Sequence, residues 1–273
     1  MAAATRRAGS DAPAVVLLHG LAANARLNWG TTAPAFRERF RVVAPDLRGH
    51  GPAVARTGRF TLEGAADDVA ELLDRSSTGP AIVVGYSMGG AIAQLLWRRH
   101  RDVVRGLVLC ATSRSFRGTP RENLLFGALP AARVVARAMS PDVTRSTVHF
   151  LAERSPVASR VRERDQLGVF DAREVLDAAE ALGRFRSHEW VGTIDVPTAV
   201  LVHLRDQLVP PRRQFALARA VPGSSLYPVD ADHFAAVDHP AFAPTLVRAV
   251  RAVYERSRIM ESMPVAHAGA FVA

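Results

Sequence analysis

Short apolar runs rich in branched residues recur along the chain and alternate with segments of helical periodicity. Six runs are bounded mostly by Gly, Pro or Asp, a pattern typical of strands buried on both faces of a parallel sheet. They cover residues 14–18, 41–44, 81–85, 106–111, 198–204 and 225–229. Helical spacing is found at 62–73 (behind Thr61 as N-cap), 88–100, 210–221 and 240–258. This alternation predicts the α/β class, a doubly wound, mostly parallel sheet with helices on both faces.

One long stretch breaks the alternation. Residues 113–191 offer helical patterns and no convincing strand. Pro130 is placed to start a helix that runs to 139, and 171–182 predict a second helix that Gly183 would end. We therefore predict an inserted helical lid, or cap, at 113–191, over the C-terminal edge of the sheet, with a core formed by 1–112 and 192–273. The tail 260–273 is rich in small residues and is expected to fray.

Composition narrows the class of protein. Apolar residues make up 48% and charged residues 22% of the chain, as in ordinary globular proteins. The net charge of +9 comes from 35 Arg without Lys, and their dispersal argues against a nucleic-acid partner. The single cysteine, Cys110, excludes an intramolecular disulfide, and no run approaches the ~18 apolar residues of a membrane span. Residues 1–13 lack the apolar core of a signal peptide, so we expect a cytoplasmic protein.

A G-x-S-x-G motif, Gly85-Tyr86-Ser87-Met88-Gly89, directly follows a predicted strand and opens a predicted helix. A sharp strand-to-helix turn exposes the Ser oxygen, and the two glycines leave room for close backbone approach. The helix N-terminus behind the Ser directs N–H groups towards developing negative charge. The motif therefore predicts Ser87 as a nucleophile.

A serine nucleophile needs a base and an orienting acid, here in the expected chain order Ser, acid, His. Asp206 follows the strand 198–204 and His233 follows the strand 225–229. Both then lie on loops at the C-terminal edge of the sheet, where open α/β sheets place their sites. We predict that His233 takes the Ser87 proton and that Asp206 orients the imidazole.

Other residues could fill these roles. His239 is an alternative base, although its Asp-His-Pro context suits the start of the last helix. Asp230 and Asp232 are alternative acids, although turn or capping roles suit them better. His203 falls inside a strand and is expected to pack in the core.

An oxyanion hole needs two N–H donors. One is expected from the backbone of Met88, immediately after the nucleophile. The other is expected from the loop His19-Gly20-Leu21 after the first strand, through the N–H of Leu21. The nine His show no metal-ligand spacing, so we expect no metal and no cofactor.

Three motifs together, HGL at 19–21, DLRGHG at 46–51 and GYSMGG at 85–90, resemble the α/β-hydrolase fold superfamily in its serine esterase and lipase-like members. The similarity of motif order covers 14–112 and 192–258. The resemblance implies that 46–51 is structural, so Asp46 and His50 are not assigned to catalysis. Such proteins usually have two strands before the HG strand, and only about 13 residues precede it here. We therefore expect either a sheet that is shortened at that edge or a start of the sequence that is placed too late.

The resemblance and the motifs predict a serine hydrolase that cleaves carboxylic esters of hydrophobic acyl groups through an acyl-enzyme. Ser at position 87 excludes epoxide hydrolase and dehalogenase chemistry by the family pattern. Thioesterase, acyltransferase and C–C bond hydrolase activities stay open, as does a non-catalytic small-molecule receptor. The partner is expected to be a small ester or acyl substrate. Apolar cap residues could line an acyl pocket or pack on the core: Leu124, Leu125, Phe126, Val134, Val135, Met139, Phe150 and Leu151.

Overall fold

The computed structural model describes residues 12–50, 59–140, 143 and 172–262. The strands within these residues are β1 (Ala14–Leu18), β2 (Arg41–Val43), β3 (Ala81–Tyr86), β4 (Val104–Cys110), β5 (Thr198–His203) and β6 (Ser225–Val229). They form one sheet in the order β2-β1-β3-β4-β5-β6, and every neighbouring pair is parallel. The predicted fold class is confirmed, and each strand lies within two residues of its predicted bounds.

Eight α-helices lie in the described part of the chain. They are α1 (Ala25–Trp29), α2 (Leu62–Arg75), α3 (Met88–Arg99), α4 (Pro120–Ala138), α5 (Ala172–Arg184), α6 (Pro211–Ala220), α7 (Ala235–Asp238) and α8 (Phe242–Ser262). The predicted tail overlaps the end of α8, which continues to Ser262; residues 263–273 lie outside the described part. No helix among the described residues is long and apolar enough to cross a bilayer.

The core consists of two apolar layers, one on each face of the sheet. Successive strand residues point to opposite faces, so Val15 and Leu17 join one layer while Val16 joins the other. The first layer is covered by α1 and α8 and the second by α2, α3 and α6. All five residues of β1 are buried, which explains why the strand reads as an unbroken apolar run.

The helices between β4 and β5 differ from the prediction. α4 begins at Pro120, well before the predicted start at Pro130, because Thr119 and Glu122 form a capping box. Pro130 therefore lies inside the helix. Gly183 does not end α5, which runs to Arg184; a Cβ at this glycine would overlap the Phe126 ring, so the glycine allows α4 to approach α5.

The apolar side chains of α4 divide into two groups. Phe126 is half-buried and packs on the core. Leu124, Leu125, Val134 and Val135 are exposed and do not pack on the core, so for these four the acyl-pocket alternative stays a prediction. Phe150 and Leu151 lie outside the described residues. The assignment of 113–191 as a cap stays a prediction.

Candidate active site

Ser87 occupies the sharp turn between β3 and α3. Its φ of +53° and ψ of −112° lie in a region that non-glycine residues rarely adopt. The turn is fixed on both sides, because Ser87 N–H donates to the Cys110 carbonyl at 2.9 Å and the Thr112 hydroxyl donates to the Ser87 carbonyl at 2.8 Å. The side chain is thereby held at the C-terminal edge of the sheet.

The two motif glycines are required by close backbone packing. A Cβ at Gly85 would overlap the backbone of Gly89 and approach Gly90 Cα to 2.6 Å. A Cβ at Gly89 would overlap the carbonyl of Leu18, at the end of β1. Both glycines therefore let α3 start directly against the strand ends.

Ser87, His233 and Asp206 form one hydrogen-bonded chain. Ser87 Oγ lies 3.0 Å from His233 Nε2, and His233 Nδ1 lies 2.8 Å from Asp206 Oδ2. All three residues are buried, and they come from loops after β3, β6 and β5. The structure thus brings together the three residues predicted from the sequence.

Asp206 is fixed by further hydrogen bonds. Its Oδ1 accepts from the backbone N–H of Leu208 at 2.9 Å and of Val209 at 2.8 Å. Its Oδ2 accepts from the Gln214 side chain at 3.0 Å, as well as from His233. Four donors to one carboxylate fix its orientation.

Two side chains hold the loop that carries His233 through hydrogen bonds to its main-chain carbonyls. The Tyr86 hydroxyl donates to the main-chain carbonyl of His233, and burial raises the pKa of this phenol well above its usual range. His203 Nδ1 donates to the Asp232 carbonyl at 2.9 Å. Burial, followed by the charge of His233, lowers the pKa of His203 to about 4, so this ring is neutral near neutral pH.

The alternative site residues take other positions. Asp230 is exposed and pairs with Arg205 at 3.0 Å. Asp232 Oδ1 accepts the N–H of Phe234 at 2.9 Å, as in a turn. His239 ends α7, and its ring accepts the N–H of Ala241 at 3.3 Å. The described contacts therefore give these three side chains local backbone and surface roles.

The loop after β1 lies beside Ser87. A Cβ at Gly20 would meet Ser87 Cβ at 3.5 Å, and Gly20 N–H donates to Asn28 Oδ1 at 2.8 Å. His19 Nδ1 donates to the Gly20 carbonyl at 2.8 Å, while its Nε2 accepts the N–H of Leu47 at 2.9 Å. Burial, with a smaller contribution from the charge of His50, lowers the pKa of His19 to about 3. The neutral ring thus links Gly20 and Leu47 through hydrogen bonds.

Two N–H groups near Ser87 are available to a ligand. Met88 is the first residue of α3, where helix geometry leaves the N–H without an intrahelical acceptor. The N–H of Leu21 donates to none of the described residues. Both are the donors predicted for an oxyanion hole. In the part of the chain that the structure describes, no group of three or more His, Cys, Asp or Glu side chains could hold a metal ion.

Sequence reasoning missed three supporting side chains: Tyr86, Asn28 and Gln214. Tyr86 sits inside the motif, but its contact with His233 spans 147 positions. Asn28 lies in the short helix α1, which was not predicted. Gln214 lies within the predicted helix at 210–221, and the sequence carries no signal that this side chain contacts Asp206.

Comparison with known proteins shows the family to which this fold belongs. The chain matches the model of the alpha/beta hydrolase fold over residues 13–240. The pimeloyl-[acyl-carrier protein] methyl ester esterase of Neisseria meningitidis serogroup C is 34% identical over 222 residues, 78% of this chain and 82% of the relative. The enol-lactonase from Burkholderia xenovorans LB400 has a TM-score of 0.75 at 26% identity, covering 92% of this chain and 96% of that one.

A thermophilic esterase from Thermogutta terrifontis gives a TM-score of 0.71 at 27% identity, covering 93% of this chain and 92% of that one. The family match extends over most of the present chain. The Thermogutta structure and the Neisseria relative are both named as esterases. The chain therefore belongs to the alpha/beta hydrolase fold family, as an enzyme of the carboxylic ester hydrolase type.

Proposed function

We propose that the protein cleaves carboxylic esters of hydrophobic acyl groups through an acyl-enzyme on Ser87, with His233 as general base and Asp206 as its orienting acid. The observation that carries this proposal is the continuous hydrogen-bonded chain from Ser87 Oγ through His233 to Asp206. A serine alone is a weak nucleophile, and this arrangement supplies the base and the partner that a serine requires.

In the first half-reaction, Ser87 Oγ attacks the ester carbonyl carbon while its proton passes to His233 Nε2. Asp206 accepts the Nδ1–H bond, which sets the tautomer and stabilises the imidazolium. The bond from the carbonyl carbon to the alcohol oxygen then breaks, and His233 returns the proton to that oxygen. The acyl group stays on Ser87.

The negative charge on the carbonyl oxygen is the second requirement. We assign its stabilisation to the backbone N–H groups of Met88 and Leu21, with the positive end of α3 behind them. His19, Gly20 and Asn28 hold the loop that carries Leu21. In the second half-reaction, water loses a proton to His233 and attacks the acyl carbon. The bond from that carbon to Ser87 Oγ then breaks, His233 returns the proton to Oγ, and the acid is released.

The named relatives and the fold support this class of substrate. The Neisseria relative is named for a methyl ester, and both the esterase and the lactonase structures act by name on carboxylic ester bonds. For the segment 113–191 we propose the role of a cap that shapes the acyl pocket. α4 and α5 lie in this segment between β4 and β5, and Phe126 of α4 packs on the core.

The first test is labelling with a fluorophosphonate probe, read by intact mass. Wild type should gain one label, Ser87→Ala should gain none, and Ser113→Ala, another buried serine at the same sheet edge, should label like wild type. An ester and thioester panel graded by acyl length then separates esterase from thioesterase activity. Unlabelled, well-folded wild type that also fails every ester would favour the receptor alternative.

The histidine variants separate the two candidate bases. His233→Ala should lower kcat by about 10⁴-fold or more, because members of such a site act as a unit. His239→Ala should leave kcat unchanged, since its ring contacts only local backbone. Equal losses in both variants would contradict the assignment of His233.

A further inference from the structure

A cavity of about 310 Å³ lies apart from Ser87, between the first turn of α2, the distal half of α3 and the chain that follows α5. From Met88 to Arg98, α3 rises about 15 Å, so the cavity is separate from the candidate active site. Apolar side chains line part of it: Phe60, Leu95, Phe185 and Trp190. Four guanidinium groups line the rest: Arg59, Arg98, Arg184 and Arg186.

The acids beside this cavity do not neutralise its arginines. Asp177 and Glu180 are both buried, and together they serve four guanidinium groups: Arg59, Arg133, Arg137 and Arg184. Arg133 and Arg137 lie outside the cavity lining, so the two acids are shared, and among the described residues of this cluster four guanidinium groups face two carboxylates. Glu63 is the carboxylate among the lining residues, and it also faces the charge of Arg99.

Arg98 and Arg186 form ion pairs with none of the described carboxylates, and both are exposed to the cavity. The Arg98 guanidinium lies 4.7 Å from the centre of the Trp190 ring, within the range of a cation–π contact. The backbone beside Arg186 is fixed, because Ser187 N–H donates to the Arg114 carbonyl at 2.9 Å. Partial burial, followed by the charges of Arg114 and Arg186, lowers the pKa of the neighbouring His188.

The first turn of α2 adds to this positive region. Thr61, Leu62 and Glu63 line the cavity, and a helix N-terminus carries partial positive charge and N–H donors. Two planar guanidinium groups and a helix N-terminus suit the several oxygens and the double charge of a phosphate group. The apolar side of the cavity would remain uncovered by an inorganic ion alone.

We propose that this cavity binds an organic phosphate monoester with a small apolar body, whose phosphate is held by Arg98 and Arg186. Its apolar body rests on Trp190, Phe60 and Leu95. The volume lies at the lower end of the roughly 300–1,000 Å³ of small-molecule sites. Because α2 and α3 form one wall and α5 another, the bound ligand would contact both the core and the predicted cap.

The test is calorimetric titration of the whole protein with phenyl phosphate as the probe, at low ionic strength. The double variant Arg98→Gln/Arg186→Gln should bind at least about tenfold more weakly than wild type. Arg101→Gln is the matched control, because Arg101 lies over Trp97 and pairs with Asp195 outside the cavity lining. It should stay within about twofold of wild type. All three positions are exposed, so thermal unfolding should differ little among the proteins.

Inorganic phosphate and phenol separate the two halves of the ligand. Each should bind at least about tenfold more weakly than phenyl phosphate, since each lacks one set of contacts. Absence of wild-type binding at about 10 mM probe would overturn the proposal. Unchanged affinity in the double variant would do so too, as would equal binding of inorganic phosphate or an equal loss in Arg101→Gln.

Discussion

Gln214→Met replaces a hydrogen-bonding side chain by an apolar side chain of similar length. Gln214 contacts Asp206, the acid of the candidate triad. Gln214 lies on α6 and is fully buried. Its Nε2 donates to Asp206 Oδ2 at 3.0 Å and to the Val209 carbonyl at 2.7 Å, and its Oε1 accepts the N–H of His203 at 2.9 Å. Met fills similar space and offers none of these bonds.

Two effects of different kind follow. The Val209 carbonyl and the His203 N–H would lose a buried partner, each at a cost of about 1–3 kcal/mol, so stability should fall by about 2–6 kcal/mol. Asp206 Oδ2 would keep only His233 as its partner. The carboxylate is then less firmly oriented towards His233, and kcat should fall by about tenfold.

The assay is urea unfolding together with kcat and KM on a nitrophenyl ester. In Gln214→Met kcat should fall with little change in KM, since Gln214 contacts Asp206 and does not act on the substrate. Gln94→Met is the matched control: Gln94 is also fully buried and makes three hydrogen bonds, to Gly90, Ser113 and Ser187. An equal loss of stability in both variants, with kcat unchanged in Gln214→Met, would refute a positioning role for Gln214.

Three further predictions follow from the same contacts. Asp206→Asn should lower kcat by about 10²–10⁴-fold through the wrong imidazole tautomer, whereas Asp230→Asn at the surface should leave steady-state kinetics unchanged. Gly89→Ala should cost about 1–3 kcal/mol in urea unfolding through overlap with β1, and an unaffected midpoint would contradict the close approach. For His19 and His203, unfolding frees a ring that binds a proton near pH 6.5, while the folded pKa values are about 3 and about 4. Stability should therefore fall below about pH 6.5, by about 2 kcal/mol for each ring at about pH 5, and His19→Asn should flatten the urea-midpoint profile over this range.

The sheet and the three candidate catalytic side chains could be predicted because both depend on local pattern. A strand buried on both faces must be apolar at every position, so its ends are visible where Gly, Pro or Asp begins. In a parallel sheet all strands end at the same edge, which brings the residues after β3, β5 and β6 together. The contact between Ser87 and His233 is therefore predictable, although 146 positions separate the two residues.

Contacts that depend on how two elements pack could not be predicted in this way. The helical pattern of α6 does not reveal that Gln214 faces Asp206, since that depends on the angle between α6 and β5. The start of α4 was missed for a different reason. Pro130 favours a helix start, yet the capping box at Thr119 and Glu122 is the stronger signal. A proline in an exposed helix interior can be tolerated when packing compensates.

Apolar contacts hold the turn at Ser87, whereas α5 is held both by apolar contacts and by ion pairs. Ser87 sits on a sheet whose neighbours are apolar and fully buried, so salt should leave the turn unchanged. α5 contacts the core partly through Arg59, which lies 2.6 Å from Glu180 and is itself partly exposed. Charge pairs at such positions are weakened by salt and by loss of either partner. We therefore expect ionic strength to loosen α5 from the core before it disturbs the turn that carries Ser87.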